Sequence, residues 1–487
     1  MRRSALMPRA GLWPAVALLS VCLSVPVTAR ELTLEEALDI ALNRTGRGEI
    51  IKGNLDVAEE TYFAEKINFY LPEISINGSL PSYGVSERWG YLPGTDGKSA
   101  VSEPYLDFDA DITLTQNLIT GGDLTVRADL TRQDREHPDR DGNPVDEFSR
   151  LGRFNVEFTQ PILKPSDPKF ELANKRDDLD IARLTRVEES AALQREVIEC
   201  FFGVLQTDLQ SEIAHDQYEG ACLKGAIDSI KLQDGVVSDG DWLETASARL
   251  DAELAQFEAD SEAAEQKRLL MGLLDIDAAE PVTPVVPKLG LSLSGQEQQR
   301  LANRWRESIP IVKARHEYDK TKRQADYTAS SHGLSGTISA NYNPVRGRVE
   351  DAGLSEDLMT DSWGVKLELS YPLWDGGASG ASVRAARLSA EQARLEYDDA
   401  EKSARAEVAN LINKLNVSYR KLEVLKKQIG LAGSRLDIAR SRLDDGQISM
   451  LTFLGSRVSY YETRNNYLEE LKGYFNCKVD LECRYAN

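Results

Sequence analysis

The side chains that could act in this 487-residue chain are carboxylates set at regular intervals, not a cluster built to make or break bonds. Asp107, Asp109 and Asp111 alternate with Phe108, Ala110 and Ile112, while Glu157 and Glu368 each sit between apolar neighbours. Alternation of this kind puts the acids of a strand on one face and the apolar residues on the other. The acidic face would line water with negative charge. A second group, Asp234, Asp241 and Asp445, lies beside Gly235 and Gly446. Acids at chain-reversing glycines cap helix ends or, gathered about an axis, form a ring that selects cations. Four scattered histidines lack ligand spacing, and no cysteine pair has zinc-site spacing. With no Ser/His/Asp grouping, phosphate loop or paired-carboxylate motif, neither catalysis nor a metal or cofactor is expected.

Cysteines and composition place the chain. Cys477 and Cys483 flank a segment read as a short non-helical tail, and could close a loop in an oxidising compartment or remain free thiols. Cys200 and Cys222 fall on one predicted helix, ~33 Å apart and beyond disulfide reach. Arg2, Arg3 and Arg9 precede the apolar run from Gly11 to Leu23, and Val27-Thr28-Ala29 offers a small-residue cleavage site. Residues 1–29 therefore read as a secretory signal peptide. Cys22 raises lipidation as a rival route, but Val21 stands where a small residue is wanted. Removing residues 1–29 takes away three arginines and no acids, moving the formal charge from -21 to -24. So acidic a chain is unsuited to nucleic-acid phosphates, which demand Lys/Arg clusters. No internal stretch approaches the ~20 apolar residues of a membrane-spanning helix.

A duplication supplies the architecture that positions these residues. Asp234-Gly-Val-Val-Ser238 recurs as Asp445-Gly-Gln-Ile-Ser449, and Gln160-Pro161-Ile-Leu as Tyr371-Pro372-Leu-Trp, all at an offset of 211. Self-similarity fixes architecture before any single residue does. Each copy contains a long stretch of helical spacing, over residues 167–234, free of proline after Pro168, and over 378–445, free of proline throughout. In the second, Val408, Leu411, Leu415, Tyr419, Leu422, Leu425, Ile429, Ala432, Leu436, Ala439 and Leu443 follow steps of three and four. Their mean spacing is the coiled-coil period. Helices of ~100 Å belong to an extended bundle or tube, not a compact domain. Gly235 and Gly446 supply left-handed caps, and Ser238 and Ser449 start return helices, so each copy is a helical hairpin with its tip at the repeated motif. Alternating segments precede both hairpins and read as strands, fitting either a membrane barrel or a soluble antiparallel sheet.

These motifs carry a family resemblance. Glu31-Leu-Thr-Leu-Glu-Glu-Ala-Leu-Asp-Ile-Ala-Leu-Asn-Arg44, Leu71-Pro-Glu-Ile74, Tyr371-Pro-Leu-Trp-Asp-Gly376-Gly377 with Arg384-Ala-Ala-Arg387, and Asp445-Gly-Gln-Ile-Ser449 with Leu454 resemble, in order, the TolC-like outer-membrane efflux proteins. The resemblance spans nearly all of the chain beyond residue 29. It implies an α+β membrane protein built from two structural repeats, with a long antiparallel α-helical coiled-coil barrel and a trimeric transmembrane β-barrel. It further implies a homotrimer in the Gram-negative outer membrane, in contact with its lipid and reaching through the periplasm. Such a trimer would be a passive exit duct of a tripartite efflux or type I secretion system, docked by a periplasmic adaptor (membrane fusion) protein and an inner-membrane transporter. The rival reading is a periplasmic coiled-coil scaffold or adaptor, which would not need amphipathic strands.

The organisation expected is a first repeat over residues 30–280, a linker over 281–300 and a second repeat over 301–487. Strands fall within 74–160 and 334–371, and helical hairpins within 167–275 and 378–474. Pro161, Pro372, Gly376 and Gly377 mark the passages from strand to helix. One departure stands out. Asn43-Arg44 matches Asn303-Arg304 at an offset of 260, so the first half holds about 49 extra residues before Pro161. They predict four strands in the first half (74–83, 106–116, 124–133 and 154–160) and two in the second (334–342 and 363–371). Polar loops at 85–104 and 134–150 would lie outside. Six strands per chain make eighteen in a trimer, against the twelve the resemblance implies; alternatively the insertion folds as an extracellular cap. Asp107, Asp109, Asp111, Glu157 and Glu368 should face the lumen of a cation-preferring pore. A selectivity ring would rest on Asp241 or Asp445, because Thr452 and Gly455 stand where related proteins often carry aspartates.

Overall fold

The computed structural model describes residues 30–91, 98–138, 144–277, 282–290, 294–351 and 354–485. The signal segment and Cys22 lie outside them. In chain order the elements begin with β1 (Arg30–Leu32), α1 (Leu34–Asn43) and α2 (Gly46–Tyr70). The strands β2 (Glu73–Gly78), β3 (Ser82–Tyr91), β4 (Lys98–Asn117), β5 (Asp123–Pro138) and β6 (Pro144–Pro161) come next. The first hairpin is α3 (Asp167–Gln233) and α4 (Asp239–Leu273), followed by β7 (Val282–Pro284) and α5 (Gly295–Asn303). A 3-10 turn at Trp305–Glu307 leads into α6 (Ile309–Ser331), β8 (Ser335–Asp351) and β9 (Leu354–Ser370). The second hairpin, α7 (Ala378–Asp444) and α8 (Met450–Cys483), completes the described chain.

One antiparallel sheet holds the alternating strands in the order β2-β4-β5-β6-β8-β9, with β3 also paired to β4. β2 pairs with residues 110–115 of β4 and β3 with residues 98–107. They occupy one position in the sheet, interrupted by a bulge at Ser79–Pro81. The register slips there by one residue, so even-numbered residues of β3 share the face of odd-numbered residues of β2. The sheet is thus six strand positions wide, with β2 and β9 at its open edges. The inserted segment is internal to it. The β4–β5 turn closes through Gly121 N–H to Leu118 O and Leu118 N–H to Gly122 O, both 2.8 Å, and Gly121 has φ +91°. A Cβ at Gly122 would lie 2.3 Å from the Thr159 carbonyl, so only glycine fits. Asn117 donates to the Asn68 carbonyl of α2 at 2.8 Å, which puts this turn at the helical end of the sheet. The hairpin is therefore part of the sheet wall and no cap on its far end.

The expected polar loops at 85–104 and 134–150 are largely strand, since β3 to β6 run through most of both. The backbone ladder continues wherever neighbours remain in register, whatever the polarity of the outward side chains.

The long helices form a layer with the same two sides as the sheet. Nearest the sheet, α3 packs on α2 and α6, and α6 packs on α7; towards the tips, α3 packs on α4 and α8, and α8 on α7. The shared core lies where these levels meet. Val197, Ile198, Phe201 and Phe202 of α3 are fully buried against Leu422 of α7, Leu471 of α8, Ala37 of α1 and Leu32 of β1. Each such side chain contributes about 1.5–3 kcal/mol by leaving water. β1 joins this core by pairing in parallel with β7. The apolar seam expected on the second long helix is buried or half-buried throughout, Val408 and Leu422 most deeply.

The C-terminal expectation needs correction. α8 runs unbroken to Cys483, because Val479 and Leu481 are buried and hold its last turns on the core. Cys477 and Cys483 are free thiols on one helix, ~9 Å apart along its axis. They face different neighbours, Cys477 the Leu411 carbonyl at 3.5 Å and Cys483 the Val187 carbonyl at 3.9 Å. No disulfide joins them.

Candidate functional site

Strand register decides which acids share a surface. Asp111 lies opposite Asn77 and Asp129, Asp109 opposite Thr131, and Asp107 opposite Gln133 and Ser82. Glu157 faces Thr125 on one side and Asn341 on the other, and Glu368 faces Thr337. All five predicted acids therefore project from one face, among Thr, Asn, Ser and Gln. Some are charge-compensated. Arg127 lies 3.9 Å from Asp111 and 3.7 Å from Asp129, and Lys366 lies 2.6 Å from Glu368. Among the described residues Asp107 and Asp109 form no ion pair, which leaves an acidic patch on β4. The opposite face carries Leu114, Val126, Val156, Tyr342 and Trp363 in one cross-strand row.

At the first tip Asp234 is the C-cap of α3 and Gly235 has φ +71°. Gly235 N–H donates to Leu232 O at 3.0 Å and Val236 N–H to Lys231 O at 2.8 Å. The second tip repeats this pattern at Asp445 and Gly446 (φ +68°), with Gln447 N–H to Arg442 O at 2.8 Å. The two glycines are required for the left-handed turn. The tips differ in the next turn. Ser238 and Asp241 form a reciprocal capping box, Asp241 N–H donating to Ser238 Oγ at 3.2 Å and Ser238 Oγ to Asp241 Oδ2 at 2.8 Å. Ser449 instead meets Thr452, whose hydroxyl lies 2.9 Å away. Asp241 is thus engaged locally, whereas Asp234 and Asp445 are exposed beside their turns.

The strand-to-helix passages are built differently in the two halves. Pro161 ends β6 opposite Thr337, and Ser166 caps α3. Pro372 follows β9, and Gly376 and Gly377 both take positive φ (68° and 90°). Asp375 then accepts the Gly377 N–H at 2.8 Å, the Ser379 N–H at 2.7 Å and the Ser379 hydroxyl. These bonds hold its pKa down at about 2.

Two features escaped the sequence reading. Arg457 of α8 forms a bidentate pair with Asp216 of α3, whose side chain is 3% exposed, tying the two hairpins together. The hydrogen bond to Asp216 raises the Arg457 pKa. Their separation of 241 residues gave no local signal. The second feature is apolar. On α7, Val417, Val424, Leu431 and Ile438 recur every seven residues and are exposed, as are Leu243, Leu250 and Phe257 on α4. Heptad spacing would have revealed both stripes; on α7 the buried seam masked it.

One histidine is placed near acids. The ligand atoms of Asp177, Asp180 and His316 lie within 4.8 Å of one another. Burial raises the Asp177 pKa, but hydrogen bonds from Arg323 and His316 outweigh it and leave the pKa below the ordinary carboxylate value. Arg323 already compensates that charge, so the cluster is an ion-pair network joining α3 to α6.

Comparison with known proteins agrees with this geometry. Residues 298–474 match the family described as outer membrane efflux protein. No curated protein sequence matches the chain. Among solved structures, the CmeC outer membrane channel of Campylobacter jejuni aligns with a TM-score of 0.59 and 12% identity, over 93% of this chain and 85% of that one. The outer membrane protein VceC of Vibrio cholerae aligns with a TM-score of 0.55 and 13% identity, over 93% and 94%. The open state of the MtrE outer membrane channel of Neisseria gonorrhoeae gives 0.54 and 14%, over 93% and 88%. These similarities establish the fold, and the family is one of channels. Residues 298–474 thus carry the sequence pattern of the outer membrane efflux protein family, and the described chain as a whole has the fold of these outer membrane channels.

Proposed function

We propose that three copies of this channel protein close an eighteen-stranded outer-membrane barrel on a helical tube, making a wide, cation-preferring exit duct for an efflux or secretion machine. One observation carries the reading: sheet and helical layer are open on the same two sides. β2, α2 and α4 lie at one side and β9 and α7 at the other. β9 is exposed along nearly its whole length, an edge whose unpaired backbone groups cannot remain so in lipid. The exposed heptad stripes of α4 and α7 lie on these same sides, where a neighbour's helix would cover them. Trimeric closure is the resemblance's implication, and six strand positions per chain then give eighteen. Diameter grows roughly linearly with strand number, so such a barrel is about 1.5 times as wide as one of twelve strands.

The polar face carrying Asp107, Asp109, Asp111, Glu157 and Glu368 turns to the lumen in this reading, and the apolar face to lipid. Asp234 and Asp445 mark the tips, where the adaptor and inner-membrane transporter would dock. A channel needs no cofactor, and the cargo is set by the transporter. The alternative of a periplasmic scaffold leaves an amphipathic sheet unexplained. Outer-membrane fractions tested for a heat-modifiable, trimer-sized species separate the two: a soluble, monomeric periplasmic protein would reject the duct. Crosslinking in cells would then identify the transporter.

A further inference from the structure

On the outward face the apolar band ends abruptly in arginines. On β5 the run Leu124, Val126, Ala128, Leu130 gives way to Arg132, and on β6 the run descending from Phe158 gives way to Arg150. On β8 it yields to Arg346 and Arg348 beyond Pro344. The register sets three of these side by side: Phe108 faces Arg132, Arg132 faces Arg150, Arg150 faces Arg348, and Arg348 faces Asp357. Like charges directly opposite each other repel. Two have carboxylates, Arg132 with Asp134 at 2.9 Å and Arg348 with Asp357 at 3.0 Å. The central one does not. Among the described residues the Arg150 guanidinium has no carboxylate partner and lies over the Phe148 ring, 4.4 Å from its centroid, while Arg132 shares that ring at 4.8 Å.

We infer that this arginine row, centred on Arg150, holds the phosphate of a phosphorylated glycolipid in the outer leaflet. The inference rests on the membrane-barrel reading above. Its position selects the ligand. The row stands at the end of the apolar band remote from the helices, and four outward residues of a tilted strand cover ~20 Å of membrane depth below it. Acyl chains would lie along Leu130, Phe154 and Pro344, which places the headgroup at the guanidinium level. Guanidinium groups bind phosphate through paired N–H donors. Two strand spacings separate Arg132 from Arg348, ~10 Å, the width of a headgroup rather than of a free ion. Glu350 and Asp146 project further out on this face, beyond the phosphate level.

The test uses the full-length protein in phosphatidylcholine vesicles containing either bis-phosphorylated lipid A or its dephosphorylated form, with glycolipid retained on the purified protein measured by mass. Wild type should retain the phosphorylated form about fivefold better than Arg150→Gln does, the contribution of one cation at an anionic surface. Arg315→Gln on α6 should behave as wild type. The dephosphorylated lipid should be retained no better by wild type than by Arg150→Gln, a comparison that holds even if the variant folds poorly. Equal retention of the two lipids by wild type overturns the inference. If that protein is still heat-modifiable and inserted, the duct reading survives; a protein that inserts into neither vesicle refutes both.

Discussion

Asp375 governs how the second long helix begins. Its carboxylate accepts two backbone N–H groups and a hydroxyl, and its pKa falls from the ordinary 3.8 to about 2. A carboxyl depressed in the fold stabilises it above the ordinary value, and that contribution vanishes as pH falls through about 2. Asp375→Asn should therefore lower the protein's thermal midpoint near neutral pH, and the gap to wild type should close between pH 3.8 and about 2. Thermal scans across that range check it. Arg457 acts through burial instead. Replacing it by Leu strands the Asp216 carboxylate, at 3% exposure, and should cost about 3–5 kcal/mol. Asp216→Leu with Arg457→Leu should recover most of this in denaturant unfolding. At the tips, Asp445→Ala should weaken block by multivalent cations in planar-bilayer recordings. Asp241, engaged in its capping box, should leave block unchanged when replaced by Ala.

At the scale of elements, the exposed stripes make the trimer testable apart from the sheet. Leu431→Glu on α7 or Leu250→Glu on α4 puts a charge into an apolar seam and should shift sedimentation in detergent from trimer towards monomer. A charge at Ser441, exposed and off both this stripe and the buried seam, should not. These helices were legible in the sequence because a sustained period, capped by glycine and serine at both tips, leaves few alternatives. The inserted β4–β5 hairpin was legible too, from its alternation and from Gly121-Gly122. What lay beyond reach has physical causes. The outer halves of β3 to β6 carry charge on both faces, so alternation fades although the backbone ladder persists. The end of α8 looked like a polar tail, because the core that buries Val479 and Leu481 comes from residues far away in sequence. Arg457 and Asp216 gave no warning for the same reason.

For the whole molecule, charge and width set what can pass. A net charge of -21 over the full chain, with Asp107 and Asp109 on the lumenal side of this account, favours cations, most strongly at low ionic strength. Replacing Asp107, Asp109 and Asp111 together by Asn should lower the cation-over-anion permeability ratio, read as a shift in reversal potential under a salt gradient. Width depends on the inserted hairpin. Because β4 and β5 lie inside the sheet, with their turn touching α2 and their outward face apolar, they belong to the wall of the proposed duct. Electron cryomicroscopy of the trimer in a lipid nanodisc tests this most directly. Eighteen strands should cross the bilayer, with β2 of each protomer hydrogen-bonded to β9 of the next. Twelve crossing strands, with Leu106–Gln133 outside the bilayer, would contradict it.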